Sequence, residues 1–198
     1  MDHINKYLIE VSKIAELIDK GQIDKMIKEL KKVKNNRGRL FLLGVGGGAA
    51  NASHAVSDFR KICCFEAYTP MDNISELSAR VNDEGWESVF LNWLKGSRLC
   101  DKDGVFVFSV GGGDEKKNIS VNLVEALKYA KEIGAKIFGI VGKDGGYTAK
   151  VADACVIVPP INPEAVTPHT EAFQAVIWHL IISHPEMKKH EMKWESIK

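Results

Sequence analysis

His54 and Asp58 stand four residues apart in "GVGGGAANASHAVSDF", so on a helix they share one face, a turn behind a glycine cluster. An imidazole and a carboxylate so placed can form half of a metal site or an acid/base pair, and they equally suit a solvated helix face. Further on, "TPHTEAFQAVIWHLIISHP" sets Glu171 and His179 among Ala172, Phe173, Ala175, Val176, Ile177, Leu180 and Ile181. A helix this apolar is expected to be buried, so its ionisable groups need partners, in a hydrogen-bonded core or in a functional site. Gln174 and Trp178 are candidate packing or hydrogen-bonding neighbours. Eight residues of helix rise ~12 Å, too far for Glu171 and His179 of one regular helix to hold the same small ion. One site using both needs a later helix start or a second subunit.

The glycines ahead of His54 admit three readings. Gly44, Gly46 and Ala49 satisfy G-x-G-x-x-A, and Glu66 follows about 20 residues on, a permissible dinucleotide fingerprint. Glycine also simply permits a tight strand-to-helix turn. However, "FLLGVGGGA" and "FVFSVGGGD" both run an apolar strand through Val into three glycines, and for such a pair anion binding by backbone N–H groups at helix starts is preferred. Asn82 and Asp83, in "SARVNDEGWESVF", read as a turn ahead of a helix.

The elements that must position these residues alternate strand, glycine turn and helix. "RLFLLGV", "GVFVFSV", "AKIFGIVG" and "ADACVIVP" have the make-up of buried parallel strands. Between them lie helical segments at 48–62, 86–97 and 119–133. This predicts an α/β fold, a three-layer doubly wound parallel sheet flanked by helices, with ligands beyond the carboxyl ends of the strands. Residues 2–34 carry apolar positions at three- and four-residue steps on either side of Gly21, a leading helical hairpin that covers the sheet or packs on a partner subunit. In the last helix Thr167 is placed to cap, Pro168 suits the first helical position and Pro185 stops it.

With 198 residues, 45% of them hydrophobic, the chain suits one core: a single domain over 1–198, with helices at 1–36, the α/β body at 37–185 and a polar tail at 186–198. Lys plus Arg number 27 against 26 acidic residues, so nothing points to nucleic acid. Cys63, Cys64, Cys100 and Cys155 form no C-x-x-C spacing, as suits a reduced, cytoplasmic setting. Charges interrupt the apolar residues of the N-terminus, so no signal peptide or membrane span is expected there.

Taken together, "GVGGGAANASHAVSDF", "VNDEGW", "KDGG" at 143–146 and the closing E-x-x-x-x-x-x-x-H resemble the sugar isomerase (SIS) domain family, and within it the phosphoheptose isomerases. The similarity runs over nearly the whole chain. It implies a flavodoxin-like SIS fold and an aldose-ketose isomerase acting on sedoheptulose 7-phosphate by proton transfer through an enediol. The resemblance places metal ligands at His54, Asp58, Glu171 and His179, a donor set that suits zinc while admitting nickel, cobalt, iron or manganese. It makes Asp58 the base and His179 the acid. It places substrate contacts at Val45, Gly46, Gly47, Asn82, Asp83 and Glu171, with Ser109 and Ser120 holding phosphate. It also implies a homotetramer with sites at subunit interfaces. Here the family's first-loop Asn is Val45, its Ser is Gly48, its Glu is Asp58 and its Gln is Glu171, and "SVGGGDEKKNIS" is longer than the family's S-T-S-G-N-S. A non-catalytic sugar-phosphate sensor, or an isomerase of another ketose phosphate, would share much of this pattern.

Overall fold

The computed structural model describes residues 2–197. Its centre is a sheet of five parallel strands in the order β2-β1-β3-β4-β5. These are β1 (Leu40–Gly44), β2 (Ala67–Tyr68), β3 (Gly104–Ser109), β4 (Lys136–Val141) and β5 (Ala154–Ile157). Among the described residues eight α-helices accompany them: α1 (His3–Leu17), α2 (Lys20–Asn35), α3 (Gly47–Lys61), α4 (Ile74–Glu84), α5 (Val89–Gly96), α6 (Val121–Ile133), α7 (Gly146–Val151) and α8 (Val166–Ser183).

Successive strand residues point to opposite faces, and this sorts the core into two layers. Leu40 and Leu42 of β1, with Phe106 and Phe108 of β3, meet α2, α3 and α8 on one face; Phe41, Leu43, Val105 and Val107 meet α5 and α6 on the other. Phe106 packs against Phe59, Phe108 and Phe138 at ring separations of 5.0–6.1 Å. Each such buried ring contributes roughly 1.5–3 kcal/mol. The doubly wound sheet and the leading helical hairpin are as the sequence predicts.

Four local expectations are corrected. The hairpin breaks at Ile18–Asp19, because the Asp19 carboxylate accepts from the Gln22 N–H (3.0 Å) and so starts α2 ahead of Gly21. α8 begins at Val166 without a side-chain cap, so Thr167 and Pro168 lie inside its first turn, where a proline costs no hydrogen bond. The four strands read from the sequence become five, since the two-residue β2 is too short to show alternation there.

The fourth correction concerns Asn82 and Asp83, which lie in the last turn of α4 rather than in a turn ahead of a helix. Asn73 caps that helix at the Glu76 N–H, Arg80 bonds Glu76 and Glu84 along its side, and Gly85 (φ 86°) ends it. Helix i, i+4 pairing and capping have overridden the turn-forming character of the Asn-Asp pair.

Candidate functional site

β1 lies between β2 and β3, so the winding direction of the sheet reverses at the β1–β3 pair. The two glycine loops leave the carboxyl ends of these neighbouring strands, the place where such sheets hold ligands. Gly46 (φ 59°) turns the chain into α3, while Gly48 is buried so close to the Phe108 carbonyl that a Cβ there would collide with it. That approach brings α3 down onto β3. The Glu171 carboxylate fills the space a side chain at Gly47 would need. Val45 is exposed and offers no polar side chain.

At the end of β3 the Ser109 hydroxyl accepts from the Gly112 N–H (3.0 Å). The Gly112 carbonyl accepts from both the N–H and the hydroxyl of Thr148 on α7, and Gly113 accepts from the Tyr147 N–H. This pins the loop to its neighbour. The extra residues then close on themselves: Asp114 and Ile119 exchange backbone hydrogen bonds at 2.9 Å, Asp114 pairs with Lys117, and Glu115 pairs with Lys128. Both acidic groups of the insertion are thus neutralised by lysines. Ser120 (φ 48°) opens α6 and makes no capping bond with its side chain. Two residues on, the fully buried Asn122 has an Nδ2 with no acceptor among the described residues, a donor facing the need for a partner beside the loop.

On α3, His54 and Asp58 do share one face, and α8 brings His179 to them. Asp58 Oδ2 lies 3.6 Å from His54 Nε2 and 3.5 Å from His179 Nε2, and one ligand atom from each of the three residues falls within 4.8 Å of the others. His179 Nδ1 is 2.7 Å from the Ala175 carbonyl, which can only accept, so Nδ1 carries the proton. A neutral His179 therefore turns the Nε2 lone pair toward a carboxylate oxygen. Two acceptors facing each other need a proton or a metal cation between them. Two imidazoles and a carboxylate at this spacing fit a divalent ion. Glu171 is not part of this group. It sits two turns earlier on α8, at Gly47.

Beside the three residues is a cleft of 430 Å³, lined by Asp58 and His179, by Lys61 of α3 and by the tail residues Glu191, Lys193 and Ser196. The tail reaches this place because the Lys189 and His190 N–H groups both donate to the Ile62 carbonyl at the end of α3 (2.8 and 3.1 Å), and Met187 is buried beneath. The tail residues were not legible as site residues, since nothing local in the sequence encodes a docking contact made over a hundred residues away.

Other candidates fall away on geometry. Glu66 precedes β2, at the end of the sheet opposite the glycine loops, and accepts from the Tyr68 hydroxyl (3.0 Å). A dinucleotide site needs its acidic residue at the loop end. Asn82 and Asp83 are exposed and bonded to each other (2.8 Å), and the structure does not bring them to the triad's cleft. Burial pushes the Cys63 thiol up to about 11 and that of Cys155 up to about 12, so neither offers a thiolate at neutral pH. Among the described residues no helix is long and apolar enough to cross a membrane.

No protein-family model matches the chain. It is 32% identical over 187 residues to a probable phosphoheptose isomerase of Thermoplasma volcanium, covering 91% of this chain and 89% of that protein. It is 31% identical over 158 residues to the lincomycin biosynthesis protein LmbN of Streptomyces lincolnensis, with 74% of this chain matched to 56% of that one. The chain thus spans little more than half of LmbN. In fold it resembles the phosphoheptose isomerase GmhA from Neisseria gonorrhoeae, at a TM-score of 0.77 and 21% identity over 91% of this chain and 92% of that one.

Proposed function

The chain belongs to the phosphoheptose isomerase family of SIS-domain proteins, and from that membership we propose that it interconverts sedoheptulose 7-phosphate and a heptose aldose phosphate. The observation that carries the reading on this chain's own residues is the convergence of His54, Asp58 and His179 beside a cleft of 430 Å³. Small-molecule sites have volumes of this order.

In this reading Asp58 takes the proton from the carbon beside the substrate carbonyl and returns it to the neighbouring carbon through an enediol, while His179 gives a proton to the oxygen only when Nε2 carries one, a state distinct from the one in which Nε2 is a ligand. Gly46, Gly47, Ser109 and Ser120 hold the phosphate, and Val45 contributes main chain alone. His54, Asp58 and His179 would hold a divalent ion, zinc by preference, which supplies positive charge to the oxyanion that develops. Glu171 acts on the substrate side, at the glycine loop. As a fourth ligand it would have to come from another subunit, in keeping with a homotetramer whose sites lie between subunits. A single domain working in the cytoplasm completes the proposal.

The test is twofold. Purified protein supplied with sedoheptulose 7-phosphate should yield the aldose phosphate, and metal analysis should find about one divalent ion per chain that His54→Ala loses. Binding of the sugar phosphate without turnover would replace the enzyme by a sensor. A wild type that takes up no divalent ion when supplied with one would remove the metal.

A further inference from the structure

Trp178 is 1% exposed, wedged between Phe108 of β3 (ring centroids 5.8 Å apart) and His54 (5.4 Å, edge-on). Its indole N–H can only donate, and a buried indole must find an acceptor. The acceptor is Asp58 Oδ2, at 3.1 Å. This is the same oxygen that faces both imidazoles, whereas Oδ1 accepts no hydrogen bond among the described residues.

We propose that Trp178 is a positioning residue for the reaction, dividing the labour between the two oxygens of Asp58. Its N–H fixes the carboxylate so that Oδ2 is committed to His54 and His179, and Oδ1 is left free for the substrate proton. The proposal rests on the metal reading above. The 3.5 and 3.6 Å between Oδ2 and the two imidazole nitrogens, within a set that spans no more than 4.8 Å, would let the three residues share one divalent ion. A cation and the indole N–H on Oδ2 both draw charge from the carboxylate, so the indole does not make Asp58 a stronger base; it fixes which oxygen each partner meets. Because Trp178 also rests on the strand that ends in Ser109, the carboxylate is referenced to the element that carries the phosphate loop.

The experiment is a double-mutant cycle on metal affinity. Zinc binding by chelator competition, and the visible spectrum of the cobalt-loaded protein, are measured for wild type, Trp178→Phe, Asp58→Ala and the double variant. Trp178→Phe should weaken zinc by about 10- to 100-fold, alter the cobalt spectrum and lower kcat with KM for the sugar phosphate unchanged. In the Asp58→Ala background the same change should alter affinity by less than about twofold. An equal loss in both backgrounds would mean that the ring merely packs against His54, and would overturn the proposal, as would an unchanged affinity in Trp178→Phe. If wild type binds no divalent ion, the metal reading itself fails and takes this one with it. Should Trp178→Phe not fold, benzothienylalanine at 178, of the same shape without the N–H, supports the same cycle.

Discussion

The Glu171 carboxylate occupies the space that a side chain on Gly47 would take, so the last helix and the first glycine loop are fitted to each other at that point. Gly48, one residue on, is fitted instead to the backbone carbonyl of Phe108. A flexible side-chain end can move aside and a strand carbonyl cannot. Gly47→Ala should therefore keep or slightly raise the melting temperature, alanine being better in a helix by up to ~1 kcal/mol, yet swing Glu171 and cost about 10- to 100-fold in turnover. Gly48→Ala should destabilise by about 1–3 kcal/mol. Thermal melts beside steady-state assays separate the two.

Arg39 and Asp103 tie the start of β1 to the turn before β3, and so set the two strands whose far ends carry the loops. Asp103 is 1% exposed and accepts from the Arg39 backbone N–H (2.8 Å), its guanidinium (2.8 and 3.3 Å) and the Cys100 N–H (3.0 Å). Burial pushes this carboxyl up, but the hydrogen bonds from Arg39 and Cys100 outweigh it and the net shift is downward. Its contribution is thus present above the ordinary carboxylate range and is lost as pH falls through the lowered value. Asp103→Asn should cost about 2–3 kcal/mol at neutral pH and flatten the acid limb of the stability curve in urea titrations.

Glu10 and His169 join α1 to α8, His169 Nε2 lying 2.8 Å from Glu10 Oε2, with Tyr7 stacked on the imidazole. The bond to His169, then that from Asn162, holds Glu10 below the usual carboxylate range. By the same sign rule the latch holds at neutral pH and weakens in acid as Glu10 is protonated. Glu10→Gln should speed amide exchange in α1 at pH 7 while the β3 amides stay protected, as hydrogen exchange by mass spectrometry can show.

The insertion's carboxylates are already matched, Asp114 by Lys117 and Glu115 by Lys128 of α6, and Lys116→Ala and Lys117→Ala should leave KM for the sugar phosphate within about twofold. Ser109→Ala removes the acceptor for the Gly112 N–H and, in the function proposed above, a phosphate contact. It should raise KM by about tenfold, near the 1.5 kcal/mol of one lost hydrogen bond.

How far the sequence reveals these relationships depends on their range. The apolar runs of β1, β3 and β4 and the repeated glycine turns are local signals, and they specify the sheet and the loop end of it. His54 and Asp58 are legible as a pair because helical spacing alone puts them together. His179 joins them through the packing of α8 on α3, a contact invisible to periodicity, and only the family resemblance marks it. Helix rise correctly separates Glu171 from His179. The indole of Trp178 reads as an ordinary core residue, since nothing in a sequence tells where a buried N–H points. Asn82 and Asp83 show the opposite failure: a strong local turn signal yields to the arginine ladder and cap of α4.

The hairpin at Asp114–Ile119 closes by its own backbone bonds, and its carboxylates are met by Lys117 within it and by Lys128 on α6. Chain length at this place is thereby uncoupled from the serines on either side. Residues between Asp114 and Ile119 can be exchanged for a reporter peptide by an engineer with little demand on the loop ends at Ser109 and Ser120.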